Sequence, residues 1–182
     1  MKNADCIIES GARPVIGTSG LLPEQVAELQ QLCNKQNLGG IIVPNFAIGA
    51  VLMMKYSQDA AKYFPHVEVI ELHHDRKADS PSGTAIKTAN LLAESRGSAP
   101  PTVDEKEILS GARGANAEDI CIHSVRLPGL VAHQEVIFGG QSQTLTIRHD
   151  SIHRDSFMPG VCLACKKVVD LNKLVYGLEH LL

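Results

Sequence analysis

The chain has 182 residues, with 17 Lys and Arg against 20 Asp and Glu, a formal net charge of −3. That balance argues against a nucleic-acid binder and a polybasic membrane anchor, and three Tyr, four Phe and no Trp argue against a stacking platform for single strands. A 44% hydrophobic share supports a real core in one domain, or one and a part, while the lack of a long apolar run or leader pattern and five scattered Cys point to a reduced cytoplasmic protein.

Residues 4–9 (ADCIIE) read as the last turns of a helix, and so suggest a part missing upstream. Arg13 to Gly17 is a short apolar run that predicts a buried strand. Pro23 suits a first helical position, and Val26, Leu29, Leu32 and Cys33 repeat at helical spacing, so Pro23 to Asn37 is predicted to be an amphipathic helix ended by Gly39-Gly40. Gly40 to Val43 is a second apolar strand, completing a parallel βαβ pattern.

Ile48 to Phe64 reads as helix, Val67 to His74 as strand and Gly83 to Ser95 as helix. Residues 97–118 carry Gly, Pro and polar residues and predict a long loop with at most a short helix. Ile120 to Leu127, Leu130 to Phe138 and Gln143 to Asp150 alternate, and predict a run of antiparallel strands rather than further βαβ units. Phe157 to Leu182 reads as mostly helical, with an interruption near Gly177.

The densest polar cluster is 71–85, ELHHDRKADSPSGTA. His73 and His74 close a strand, where neighbouring residues point to opposite faces, so the pair does not suit one metal ion. A His projecting into a cleft serves as acid or base near neutral pH. Lys77 lies in the following loop, where a cation reaches a carboxylate or gives up a proton. Ser82 is a natural N-cap, and Gly83 lets a ligand approach the free N–H groups of the helix start. Together these groups suit a small dicarboxylate undergoing proton-coupled chemistry. Taken singly, each reads as an ordinary cap or a locally satisfied His.

The run HHDRKADSPSGTA closely resembles the signature of the 4-hydroxy-tetrahydrodipicolinate (dihydrodipicolinate) reductase family. Gly17-Thr18-Ser19-Gly20 resembles that family's Gly-Thr-Thr-Gly after a nucleotide-domain strand. Residues 43–49 (VPNFAIG) resemble its Ala-Pro-Asn-Phe-Ser-(Val/Ile)-Gly segment, and 145–161 (LTIRHDSIHRDSFMPGV) its last strand and return. Ser19 for Thr and Ala47 for Ser are mild departures.

The resemblance implies an α/β chain: the C-terminal half of a Rossmann-type nucleotide domain (1–45 and 156–182) and an α+β substrate and tetramerisation domain (46–155) with a mostly antiparallel open sheet. It implies reduction of a cyclic dicarboxylate by NADPH or NADH with loss of water. It implies His73 as acid/base and Lys77 as proton donor or carboxylate anchor, with His74, Ser82, Gly83 and Thr84 near the substrate. Gly17, Thr18, Ser19, Val43, Pro44, Asn45, Phe46 and Arg154 are implied beside the cofactor. No metal is implied, and a homotetramer built on the sheet is. The family's opening strand and Gly-rich turn have no counterpart in this sequence, which suggests an N-terminally shortened form. The alternative is a non-catalytic homologue that folds, oligomerises or binds dicarboxylate without the cofactor.

Cys162-x-x-Cys165 has no second pair or His set beside it and reads as core packing. His66, His123, His133, His149 and His180 lack ligand spacing, and Glu105, Lys106 and Glu107 read as a solvated face. The alternating strands of 120–150 leave one sheet face in need of a partner.

Overall fold

The computed structural model describes residues 1–18, 20–98, 101 and 106–182. The chain divides into two compact units, Met1–Val51 with Asp155–Leu182, and Leu52–Arg154.

The first unit is built on three parallel strands in the order β1 (Val15–Ile16), β2 (Gly40–Ile42), β8 (Leu174–Tyr176). Helices α1 (Lys2–Glu9) and α2 (Pro23–Lys35) supply Ala4, Ile8, Leu29 and Cys33 to a core shared with Ile42 and Leu174. Pro23 begins α2, and Gln25 Oε1 accepts the Leu22 N–H at 2.9 Å, satisfying one free donor of the helix start.

Asn37, not the Gly pair, ends α2. Its φ of 53° is left-handed, and the Leu38 N–H returns to the Cys33 carbonyl at 2.9 Å. The two glycines are needed for closeness instead. A Cβ on Gly39 would lie 1.9 Å from the Leu171 carbonyl oxygen, and one on Gly40 2.6 Å from Pro14 Cγ.

The last segment departs from the helical expectation. After α5 (Met158–Lys167) and a 3-10 turn, Leu174–Tyr176 forms β8, pairing Gly40 with Leu174 and Ile42 with Tyr176. Three residues are too few to show alternation, and the strand exists because β2 has a free edge. Along α5 the buried positions are Gly160 and Ala164, one turn apart, so Cys162 and Cys165 fall on the exposed side. The expectation that this pair packs into the core is therefore overturned. Both thiols are free.

Helix α3 (Ile48–Ala61) leads into the second unit, whose five-stranded sheet runs β4 (Ala115–Ala117), β5 (Ile120–Arg126), β3 (His66–His73), β6 (Ala132–Gly140), β7 (Gln143–Ser151). Strand β3 is central, parallel to β5 and antiparallel to β6, while β4–β5 and β6–β7 are antiparallel hairpins. The expected antiparallel run is thus corrected at one point. Helix α4 (Gly83–Ser95) carries the chain from β3 to the parallel β5, a βαβ crossover that the long intervening loop hides in the sequence.

Helix α4 covers one sheet face. Ala85, Ala89 and Leu92 pack with Val67, Val69, Ile120, Ile122, Val136 and Phe138, and Phe64 tilts against Phe138. Within the 97–118 region, where a loop with at most a short helix is expected, Ala115–Ala117 forms β4. The β4–β5 hairpin turns through Glu118 and Asp119 at positive φ, and Arg96 donates to both of their carbonyls at 2.8 and 3.2 Å. Lys106 and Glu107 are exposed, and Glu107 also accepts the N–H groups of Gly111 and Arg113, each at 2.9 Å, capping a turn; Glu105 lies outside the described residues.

Candidate active site

Register and alternation place Val69, Glu71 and His73 of β3, Ile122, Ser124 and Arg126 of β5, and Gln134 and Val136 of β6 on the face that α4 covers. Along this face the lining changes from apolar to polar towards the C-terminal ends of β3 and β5. A βαβ unit puts the start of its helix at that end. Here the start is Ser82, whose Oγ accepts the Ala85 N–H at 3.2 Å. The N–H groups of Gly83 and Thr84 have no protein acceptor among the described residues, and a Cβ built on Gly83 would meet nothing within 4 Å. The helix start is therefore open to an anion.

The centre of the polar region is Glu71, whose side chain is wholly buried. Arg126 Nη1 donates to its Oε2 at 2.9 Å and Arg126 Nη2 to its Oε1 at 2.7 Å, a bidentate pair. The Ser82 N–H donates to Oε1 at 3.3 Å, and His73 Nδ1 forms a hydrogen bond with Oε2. Burial pushes this carboxyl up, but hydrogen bonds from His73, Arg126 and Ser124 outweigh it and hold the group down at about 2. Arg126 Nη2 also reaches the Asp79 carbonyl at 2.8 Å, which ties the loop carrying Lys77 to β5.

His73 is the last residue of β3, with its side chain 15% exposed. With Nδ1 held by Glu71, Nε2 is the ring atom left for a ligand. Lys77 Nζ donates to both Asp79 oxygens, at 2.7 and 2.8 Å. That contact, working against some burial, holds the Asp79 carboxyl below its usual range. His74 lies past the strand end, and its Nδ1 is buried without a hydrogen-bond partner among the described residues. Behind the helix start, Gln134 Nε2 donates to Thr88 Oγ1 at 2.8 Å, and Thr88 Oγ1 donates to the Thr84 carbonyl at 2.8 Å.

In the first unit, β1 and β2 are adjacent and parallel, so the residues following them emerge at one sheet edge. The Val43 N–H reaches the Ile16 carbonyl at 2.7 Å, and Asn45 Oδ1 accepts the Ala47 N–H at 2.9 Å. Gly17 lies against Phe46, where a Cβ would sit 2.7 Å from the ring. Thr18 Oγ1 accepts the Gly20 N–H at 3.2 Å, and Ser19 lies outside the described residues. Arg154 is exposed in a 3-10 turn before α5.

Sequence reasoning gave no role to Glu71 or Arg126. Glu71 was inside the polar run, and its place in alternating register with His73 was the available signal. Arg126 lies 55 residues away, and only the parallel β3–β5 pairing brings the two together. Among the described residues, no group of three or more His, Cys, Asp or Glu side chains could hold a metal ion. His123 bonds Glu68 and His133 bonds Asp150, each at 2.7 Å.

Residues 49–182 match the family model described as dihydrodipicolinate reductase, C-terminus. The chain is 59% identical over all 182 residues to the 4-hydroxy-tetrahydrodipicolinate reductases of Streptococcus pneumoniae strains Hungary19A-6 and TIGR4, covering 71% of each. It is similar to the solved structure of dipicolinate-bound dihydrodipicolinate reductase from Paenisporosarcina sp. TG-14, with a TM-score of 0.90 and 53% identity over the whole chain and 69% of that protein. The chain therefore belongs to the 4-hydroxy-tetrahydrodipicolinate reductase family, a family of oxidoreductases.

Proposed function

We propose that the site acts on 4-hydroxy-tetrahydrodipicolinate, reducing it to tetrahydrodipicolinate with loss of water, in lysine and diaminopimelate synthesis. The observation that carries this reading is the grouping, in one unit, of His73 held by Glu71, Lys77 in the next loop and the open start of α4. A cation and free helix N–H groups suit carboxylates, and the related protein from Paenisporosarcina sp. TG-14 is named as dipicolinate-bound. Lys77 and the N–H groups of Gly83 and Thr84 bind the two carboxylates, with Ser82 holding the helix start and His74 lining the site. Loss of the hydroxyl as water requires a proton at the leaving oxygen, and His73 Nε2, once it has taken up a proton to form the imidazolium, is the atom that delivers it.

The family uses a nicotinamide cofactor, which supplies a hydride when bound. The residues after β1 and β2 fit its nicotinamide end, because the C-terminal edge of a parallel sheet is where such folds take ligands and Gly17 allows close packing there. Gly17, Thr18, Ser19, Val43, Pro44, Asn45, Phe46 and Arg154 would hold it, whether as NADH or NADPH. We assign residues 1–45 and 156–182 to the nucleotide side and 46–155 to substrate binding and assembly.

The sheet face opposite α4 carries Ile70, Leu72, Val125 and Ile137, all half-buried in the single chain. A homotetramer built on this face, in the cytoplasm, fits that pattern. No helix among the described residues is long and apolar enough to cross a membrane.

Calorimetry with pyridine-2,6-dicarboxylate, NADH and NADPH tests the reading. Dicarboxylate binding that His73→Ala leaves intact and Lys77→Ala weakens, with turnover lost in His73→Ala, is the expected result. Absence of dicarboxylate binding would overturn the reading.

A further inference from the structure

We infer that Glu71, clamped by Arg126, is a positioning residue that holds His73 with its proton on Nδ1 and so leaves Nε2 as the working atom. This rests on the acid/base reading of His73 and deepens it. Apart from His73, the groups bonded to the Glu71 carboxylate all donate to it: both terminal nitrogens of Arg126, the Ser82 N–H and the Ser124 hydroxyl. An ionised carboxylate only accepts, so the remaining partner, His73 Nδ1, must carry a hydrogen. The neutral ring is then confined to the tautomer whose Nε2 has a free lone pair, and the imidazolium formed when Nε2 takes a proton is stabilised by the same carboxylate.

Position and rigidity support the assignment. Glu71 and His73 are two apart on β3 and share a face, and Arg126 lies opposite His73 on β5. The Arg126 fork fixes both carboxylate oxygens, so Glu71 has no freedom to turn away. A Glu with a purely structural duty to Arg126 would not control the imidazole tautomer. The wholly buried carboxylate sits between the two groups and engages both.

Glu71→Gln makes the test sharp. The amide places one NH2 where a second acceptor stood. With its oxygen kept on Arg126 Nη2 and the Ser82 N–H, the NH2 faces His73 Nδ1 and drives the neutral ring to the Nε2–H tautomer. Imidazole 15N and 13C shifts of His73, recorded at a pH where the ring is neutral, read this directly. The expected result is Nδ1–H in the unmodified chain, Nε2–H in Glu71→Gln, and a loss of kcat on the order of 10²-fold with KM little changed. An Nε2–H ring in the unmodified chain overturns the proposal, and this measurement needs no variant to fold. An unaltered tautomer and kcat in a folded Glu71→Gln overturn it as well. If the tautomer follows Glu71 while His73→Ala keeps its kcat, the acid/base reading of His73 fails instead, so the two failures are distinguishable.

Discussion

Arg126 grips Glu71 through both terminal nitrogens, at 2.9 and 2.7 Å, across the parallel pairing of β5 with β3. Removing the cation leaves a buried carboxylate without its main partner. Arg126→Met is expected to destabilise the second unit by about 3–5 kcal/mol, as broken buried pairs do. Denaturant unfolding checks it, and a loss below about 1 kcal/mol would show that water replaces the guanidinium.

The same carboxylate sets an acid limit. Its folded value of about 2 lies below the ordinary 4.5. A depressed carboxyl contributes stability that is fully present above pH 4.5 and is lost as pH falls from there towards 2, here about 3 kcal/mol. Unfolding free energy measured across that window should fall more steeply in the unmodified chain than in Glu71→Gln. Parallel curves would show that other carboxylates carry the acid sensitivity.

Lys77 spends its charge on Asp79, whose side chain is 63% exposed. A carboxylate bound at Lys77 as proposed would compete with that contact, and an exposed pair is worth only about 0.2–1 kcal/mol. Asp79→Asn is therefore expected to tighten pyridine-2,6-dicarboxylate binding by about two- to fivefold, read by calorimetry. Weaker binding in this variant would mean that Asp79 orients Lys77 rather than competing for it.

Gln134 and Thr88 form a buried relay to the Thr84 carbonyl in the first turn of α4. Thr88→Val removes the acceptor for Gln134 while keeping side-chain shape. A cost of about 1–3 kcal/mol is expected, since a buried amide loses its partner. Thermal unfolding measures it, and an unchanged Tm would show that Gln134 finds another acceptor.

Gly160 of α5 is packed so closely that a Cβ would lie 2.0 Å from the Phe46 carbonyl oxygen. Backbone cannot give way as a side-chain tip can, so Gly160→Ala is expected to cost at least about 1–3 kcal/mol. Because Phe46 belongs to a segment proposed to hold the nicotinamide, NADPH affinity should fall in the same variant. A variant with unchanged stability would show that the 43–46 loop shifts freely.

Much of this molecule is legible in its residues. Helix α4 begins and ends where its cap and composition predict, because Ser82 and the helical spacing of Ala85, Ala89 and Leu92 are local signals. The run 71–85 marks the candidate site for the same reason: His73, Lys77, Ser82 and Gly83 are neighbours in the chain. What the sequence left open depends on pairing between distant segments. Strand β8 exists only because β2 offers an edge, and β5 runs parallel to β3 because α4 crosses between them. That crossover sets Arg126 against Glu71. The chemical groups of the site were thus determined by a short stretch of sequence. What fixes the Glu71 carboxylate that holds His73 Nδ1 was decided by tertiary structure, since the Arg126 hydrogen bonds, across 55 residues, leave no local pattern.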